Sequence, residues 1–212
     1  MCPKAKHLAA PAKEPGQGAG LWAEDTVRGE GLEHYAMSRS KEWYTPARYL
    51  QLIRALMGGI DLDPASCSVA QRTVQATRYF TADDNGLAHP WPGRVFLNPP
   101  YGRGVGGLSN QGCWSHRLIE QYEQGITTQA VLLVTAATSE KWFQPLWAYP
   151  VCFTDHRIAF VDAHGHKVRG NTKGAAFVYM GNEKERFAEL FSAVGTPVFA
   201  AGLWAKQRVA VG

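Results

Sequence analysis

Cysteine is scarce in this sequence, and the few cysteines lie far apart. The 212 residues include four, none in a C-x-x-C pair: Cys2, Cys67, Cys113 and Cys152. Cysteine-based zinc sites need such close pairs, so the spacing excludes a zinc finger and predicts reduced thiols. His164 and His166 form an H-x-H pair without further ligands nearby, and we therefore expect no metal site.

Long apolar runs are missing as well. No segment approaches the about 20 apolar residues that span a bilayer, and residues 1–20 carry positive charge without the apolar centre of a secretory signal. We therefore expect a cytoplasmic protein without membrane association. The formal net charge of +4 is mildly basic, which permits a nucleic-acid partner but does not require one.

The composition divides the chain into two parts. Residues 1–40 are rich in Ala, Gly, Pro, Lys and Glu and show no sustained periodicity, which predicts a flexible N-terminal tail. The remainder, 41–212, is predicted to form a folded domain. Pro46 suits the first turn of a helix with Thr45 as its cap, apolar residues then recur at helical spacing, and Gly58-Gly59 ends the helix.

Strands and helices alternate through the predicted domain. Further helices are predicted at 66–76, 113–124, 139–147 and 183–194, and strands at 60–63, 77–81, 95–97, 130–134, 151–153, 157–160, 176–180 and 197–200. This alternation predicts an α/β fold with a mostly parallel sheet. The strands from 151 to 180 are expected to pair as a C-terminal antiparallel hairpin.

A polar motif, Asn98-Pro99-Pro100-Tyr101, directly follows the apolar strand at 95–97. In open α/β sheets, ligands bind at the carboxyl ends of strands. The Asn98 side-chain oxygen and the Pro99 carbonyl are two acceptors that would polarise a conjugated amino or amide nitrogen, which is otherwise a poor nucleophile. Tyr101 offers a flat face on which a base can stack. By itself the motif is also compatible with a plain turn.

Two further motifs are typical of nucleotide-type ligands. Asp63 ends a strand and is followed by Pro64, Ala65 and a helix, so small residues let a ligand approach the backbone near a helix N-terminus. Tyr44 and Thr45 precede another helix, where a hydroxyl and backbone N–H groups suit a carboxylate. Each motif alone is equally compatible with an ordinary helix start.

Together, these motifs resemble the phage-type DNA N6-adenine methyltransferase family, often described as Dam-type. The similarity runs from Glu42 to about Gly181 and includes E-W-Y-T-P, D-L-D-P-A-S and G-R-V-F-L-N-P-P-Y-G in that order. The resemblance implies a Rossmann-like methyltransferase fold that uses S-adenosylmethionine. It also implies direct methyl transfer, without a metal, to N6 of a flipped-out adenine in double-stranded DNA. For a phage or prophage gene, the location would be the cytoplasm of the bacterial host.

The resemblance also implies roles for single residues. The catalytic loop would be Asn98, Pro99, Pro100 and Tyr101, and the cofactor would contact Tyr44, Thr45, Asp63, Pro64, Ala65 and Asp84. Asp84 is the position that approaches the cofactor's adenine or the target base. One departure from the broader methyltransferase pattern is that no glycines follow Asp63.

Two polar loops are candidates for contacts with DNA. The loop 102–112 carries Arg103, Asn110 and Gln111, whose side chains can read base edges. The loop 162–174 carries Lys167, Arg169 and Lys173, the densest basic cluster of the domain, and suits phosphates. Solvated surface loops are the alternative for both. Other acceptors, namely RNA or a protein glutamine, also fit the catalytic motif, as does a degenerate nucleic-acid-binding module.

Overall fold

A seven-stranded mixed sheet forms the centre of the computed structural model, which describes residues 43–102, 109–162, 164–168 and 171–199. The strands are β1 (Leu62–Asp63), β2 (Arg78–Tyr79), β3 (Gly93–Leu97), β4 (Thr127–Thr135), β5 (Val151–Thr154), β6 (Ala175–Met180) and β7 (Gly195–Val198). The α-helices are α1 (Ala47–Met57), α2 (Ser68–Val74), α3 (Asn110–Glu123) and α4 (Lys184–Phe191). The predicted tail at 1–40 lies outside the described residues.

The strand order is β2-β1-β3-β4-β6-β5-β7. The first four strands in this order are parallel, whereas β6 pairs antiparallel with both β4 and β5, and β7 pairs antiparallel with β5. The predicted mixed α/β architecture with a parallel centre is therefore confirmed. The carboxyl ends of β1, β3, β4 and β5 all lie at one edge of the sheet, which is where open α/β sheets bind ligands.

Burial on both faces explains why the central strands are almost entirely apolar. Residues 130–134 of β4 are completely buried, and all of β6 is buried. Val131 and Leu133 pack with α1 and α4 on one face. Leu132 and Val134 pack with α3 on the other. Every side chain of such a strand is thus removed from water, which favours β-branched and other aliphatic residues.

The first helix begins one residue later than predicted, and its cap is different. Pro46 is the N-cap residue, with an extended backbone, and it receives no side-chain hydrogen bond. The hydroxyl of Thr45 is not the cap, because it accepts a hydrogen bond from Asn98 instead. The helix ends as predicted at Gly58, which adopts the left-handed conformation with φ of 74°.

Two other predicted elements are wrong. The segment 139–147 forms turns followed by a 3-10 helix at Gln144–Ala148, in which Pro145 removes a backbone donor. The segment 157–160 is not a strand, although Ile158 and Phe160 alternate with exposed or half-buried neighbours. Its alternation reflects burial against the core, since only isolated bridges through Val161 pair this region with other backbone. No helix within the described part of the chain is long and apolar enough to cross a membrane.

Candidate active site

The predicted site motifs meet at the carboxyl edge of the sheet. β1 ends at Asp63 and β3 ends at Leu97, so that Asn98 leaves the sheet directly beside the end of β1. The two strands are paired in parallel through Leu62 and Val95. Motifs that lie about 35 residues apart along the chain are therefore neighbours in space, as the location of ligand sites in α/β sheets requires.

The amide of Asn98 is held in one orientation. Its Nδ2 donates to the backbone carbonyl of Trp43 at 3.1 Å and to Oγ1 of Thr45 at 3.3 Å. A carbonyl oxygen can only accept, so the nitrogen must face Trp43 and Oδ1 must face the other way. Asn98 Oδ1 is buried and has no hydrogen-bond partner among the described residues. Buried acceptors without a partner are rare and cost about 1–3 kcal/mol, which indicates a donor that binds there.

An aromatic cluster surrounds the motif that follows β3. The centroid of the Tyr101 ring lies 5.3 Å from that of Trp43 and 6.2 Å from that of Phe160. The ring centroids of Trp43 and Phe160 are also 5.3 Å apart. Burial raises the pKa of Tyr101, so its hydroxyl stays neutral. Pro99 is buried and Pro100 is exposed. Phe160 was not among the predicted site residues, because its partners come from distant parts of the chain.

Tyr44 connects three parts of the site. Its backbone pairs antiparallel with Val161, through hydrogen bonds of 2.9 and 3.1 Å. Val161 in turn bridges on its other side to Lys167 of the basic loop (162–174), so that Val161 lies between Lys167 and the segment 43–46. The Tyr44 hydroxyl accepts a hydrogen bond of 3.4 Å from Sγ of Cys67, the residue that caps α2. The predicted cofactor residues around Tyr44 and after β1 are thus physically linked.

Asp63 is almost completely buried, and its carboxylate is surrounded by donors. Oδ1 accepts from the backbone N–H of Ala65 at 3.3 Å, and Oδ2 accepts from Nε2 of Gln71 at 3.0 Å. The same Gln71 nitrogen donates to the hydroxyl of Ser66 at 2.8 Å. Burial raises the pKa of Asp63 to about 6, although these hydrogen bonds oppose the shift. Gln71 was missed from the sequence, because nothing in α2 marks it as facing the loop.

Asp84 lies in an exposed turn next to this loop. Its Oδ2 accepts hydrogen bonds from the backbone N–H of Thr81 at 2.8 Å and from the Thr81 hydroxyl at 2.7 Å. These bonds lower the pKa of Asp84. The turn packs against the loop through Gly86, where a Cβ would lie 2.0 Å from the carbonyl oxygen of Pro64. Only glycine allows this approach, which brings Asp84 close to the segment 63–65.

The predicted DNA-contacting residues differ in their exposure and in their hydrogen bonds. Asn110 begins α3, and its Nδ2 donates to the backbone carbonyl of Tyr101 at 3.3 Å. Lys167 and Lys173 are exposed. Arg103 and Arg169 lie outside the described residues.

A base-reading role for Gln111 is not supported by the structure. Its side chain is 6% exposed, its Nε2 donates to Oγ1 of Thr135 at 3.1 Å, and its Oε1 accepts from the Thr135 backbone N–H at 3.0 Å. Both ends of the amide are thereby used to fasten α3 to the end of β4. Polarity and position in a Gly-rich loop suggested exposure, but Gln111 already lies in the first turn of a helix that faces the sheet.

Comparison with known proteins identifies one family to which the chain is similar. A family model described as DNA N-6-adenine-methyltransferase (Dam) matches residues 34–198. The matched range contains all the motifs that meet at the carboxyl edge. The corresponding searches of curated proteins and of solved structures gave no match.

Replacing Gln111 by leucine tests its structural role. Gln111→Leu removes, at a buried side chain, the acceptor of the Thr135 backbone N–H and the donor to its hydroxyl, so we expect the free energy of unfolding to fall by about 1–3 kcal/mol. Gln144→Leu is the matched control, because Gln144 is exposed and its side chain donates to the Thr138 carbonyl at the protein surface; we expect a change within about 0.5 kcal/mol. Urea denaturation measures both, and equal stabilities of the two variants would contradict this role.

Proposed function

The chain belongs to the DNA N-6-adenine-methyltransferase (Dam) family, and on that basis we propose that it transfers a methyl group from S-adenosylmethionine to N6 of adenine in double-stranded DNA. Family membership implies DNA adenine methyltransferase activity in general. Our proposal adds the cofactor, the duplex substrate, a flipped-out base and direct attack by N6. It also assigns the mixed sheet to the Rossmann-like methyltransferase type, a view supported by the parallel centre and the site at the carboxyl edge.

The unpartnered oxygen of Asn98 is the observation that carries the proposal. The lone pair of adenine N6 is delocalised into the ring, so the nitrogen becomes nucleophilic only when its hydrogens are held by acceptors. Asn98 Oδ1 would accept one hydrogen and the Pro99 carbonyl the other. The Asn98 amide is held by Trp43 and Thr45 before the base arrives, which lowers the reorganisation needed in the transition state.

The residues around the two strand ends fit the cofactor. When bound, S-adenosylmethionine supplies an electrophilic methyl group on a sulfonium sulfur. Asp63, as a buried carboxylate, would hold the ammonium of the methionine part directly or through water, with Pro64 and Ala65 along its side. Tyr44 and Thr45 would hold the carboxylate, because the oxygen of Thr45 accepts from Asn98 and leaves its hydrogen for another acceptor. Asp84 would approach the cofactor's adenine or the target base.

DNA has to be held while the base leaves the helix, which costs a few kcal/mol. We propose that Lys167, Lys173 and Arg169 contact phosphates, and that Arg103 and Asn110 approach the bases. The exposure of Lys167 and its bridge to Val161 support the first assignment, since Val161 also pairs with the segment that contacts Asn98. Tyr101, which already packs face and edge against aromatic rings, would stack on the flipped adenine.

Removing the amide of Asn98 tests the chemistry. Asn98→Ala should lower kcat for transfer of labelled methyl groups to unmethylated duplex DNA by at least about 100-fold, because a preorganised acceptor is lost. The dissociation constant for S-adenosylmethionine, measured by calorimetry, should stay within a factor of about three, well under 1 kcal/mol. Asn182→Ala is the matched control, because Asn182 is exposed and follows β6 at the opposite edge of the sheet.

The same assay identifies the molecule that accepts the methyl group. Near-normal methylation of DNA by Asn98→Ala would refute the mechanism. Methyl transfer by the wild-type protein to RNA or protein, but not to duplex DNA, would refute the substrate.

The raised pKa of Asp63 predicts a pH dependence of cofactor binding. Below about pH 6 the carboxyl is mostly protonated and loses its attraction for an ammonium, and bound cofactor stabilises the charged form. Affinity should therefore rise about tenfold per pH unit as pH approaches 6 from below and level off near pH 7. Calorimetry from pH 5 to pH 7 measures this, and Asp63→Asn should remove the slope. A slope that persists in Asp63→Asn would assign the titration to another group.

The basic loop can be tested by the salt dependence of DNA binding. Replacing Lys167 and Lys173 together by alanine should weaken binding and reduce the slope of log K against log salt by about two, one for each lost phosphate contact. Lys184→Ala is the control, because Lys184 begins α4 at the opposite edge of the sheet. Fluorescence anisotropy with a labelled duplex gives both slopes, and an unchanged slope in the double variant would remove this loop from the DNA interface.

A further inference from the structure

We infer that Thr45 is a positioning residue for Asn98, in addition to any contact it makes with the cofactor. The inference rests on the proposed function for the role of Asn98, but its geometric basis is independent of any bound group. Thr45 and Trp43 provide the two acceptors that face Asn98 Nδ2. Together they decide where the free oxygen points.

The need for such a clamp follows from the side chain itself. The terminal torsion of asparagine is broad and roughly two-fold, so a free amide exchanges its oxygen and nitrogen positions at little cost. Asn98 presents an acceptor to an incoming amino group only when Nδ2 faces the Trp43 carbonyl and Oδ1 points away from it. The Trp43 carbonyl forbids the reversed amide, because two oxygens would then face each other. The Thr45 hydroxyl adds the second bond, which narrows the remaining rotation.

The clamp is itself rigid. Thr45 is 3% exposed, so water does not compete for its hydroxyl. The preceding residue, Tyr44, is fixed by two backbone hydrogen bonds to Val161, and the following residue, Pro46, has a locked φ and is the N-cap of α1. Because the Thr45 acceptor is held in place, it restricts the rotation of the Asn98 amide. An acceptor on a flexible loop would instead move together with the amide.

Thr45 also provides a route from the cofactor to the catalytic amide. A hydroxyl that donates to a carboxylate becomes a better acceptor, because hydrogen bonds in a chain polarise one another. Cofactor bound at Thr45 would therefore tighten the bond from Asn98 Nδ2. The same reasoning explains why asparagine rather than aspartate stands at position 98: a carboxylate would keep the acceptor but place an oxygen against the Trp43 carbonyl.

The first test needs neither cofactor nor DNA. In ¹⁵N-labelled protein, the two Nδ2 protons of Asn98 give separate NMR signals, assigned by their loss in Asn98→Ala. Thr45→Val keeps the shape of the side chain and removes the acceptor, so we expect one of the two signals to shift and to exchange faster with water. Thr45→Ser should retain the wild-type signals. Thr77→Val is the matched control, because the Thr77 hydroxyl is exposed and bonds only the Ile60 carbonyl. Unchanged Asn98 signals in Thr45→Val would overturn the inference.

Kinetics then separate positioning from cofactor binding. At saturating S-adenosylmethionine, Thr45→Val should lower kcat at least about tenfold, and Thr45→Ser should restore it to within about threefold, since a lost hydrogen bond to an oriented amide corresponds to such factors. A raised dissociation constant for the cofactor with unchanged kcat would overturn the inference and leave the proposed function intact. Absence of methyl transfer by the wild-type protein would instead refute the proposed function, while the NMR result would still stand.

A second variant covers the case in which Thr45→Val does not fold. Asn98→Asp keeps the acceptor and removes the donor to Trp43 and Thr45, and its melting temperature reports whether it folds. We expect its kcat to fall at least about tenfold despite the retained oxygen. Wild-type kcat in Asn98→Asp would show that the hold on Nδ2 is unimportant and would overturn the inference.

Discussion

Parallel pairing between β1 and β3 places Asp63 and Asn98 at the same edge of the sheet, and the rest of the site is arranged around these two strand ends. The pairing is stabilised by burial on both faces, since the aliphatic side chains of β3 and β4 are packed between helices. A polar side chain within these strands would be costly. The polar side chains of β3 and β4 therefore lie towards the strand ends, and those that follow the carboxyl ends belong to the candidate site.

The segment 43–46 joins the two strand ends into one site. Its backbone contacts the amide of Asn98 and the backbone of Val161, and its side chains reach Cys67 and the aromatic rings of Tyr101 and Phe160. Three parts of the chain that are distant in the sequence thus meet through three consecutive residues, Trp43 to Thr45. A displacement of this segment would alter the amide of Asn98, the loop after β1 and the backbone at Val161 together.

Much of this arrangement could be predicted from the sequence, because the motifs stand at strand ends and strand ends are marked by simple changes in hydrophobicity. The location of Asn98 and Asp63 at a common edge follows from the α/β pattern alone. The hydrogen-bond partners of these residues cannot be derived from that pattern. Thr45 was predicted as a helix cap, Gln71 was not among the predicted site residues, and Gln111 was predicted to read base edges, because each contact depends on how the adjoining helix is rotated against the sheet. That rotation is set by the packing of the whole core, and no local pattern reports it.

The antiparallel strand β6 has a consequence for how the protein could be altered. Because β6 runs against its neighbours, the connection from β5 to β6 begins and ends at the edge that carries the site, and it never has to cross the core. Both ends of this connection are anchored. The buried side chains of Ile158 and Phe160 hold one end, and the hydrogen bond from the Ala136 N–H to the Gly174 carbonyl, at 2.9 Å, holds the other. The loop between these anchors should therefore tolerate insertions and deletions, because a change in its length does not require the strands of the sheet to be rearranged. If this loop holds DNA phosphates as proposed, it can be altered for protein engineering while the ends of β1 and β3 stay in place.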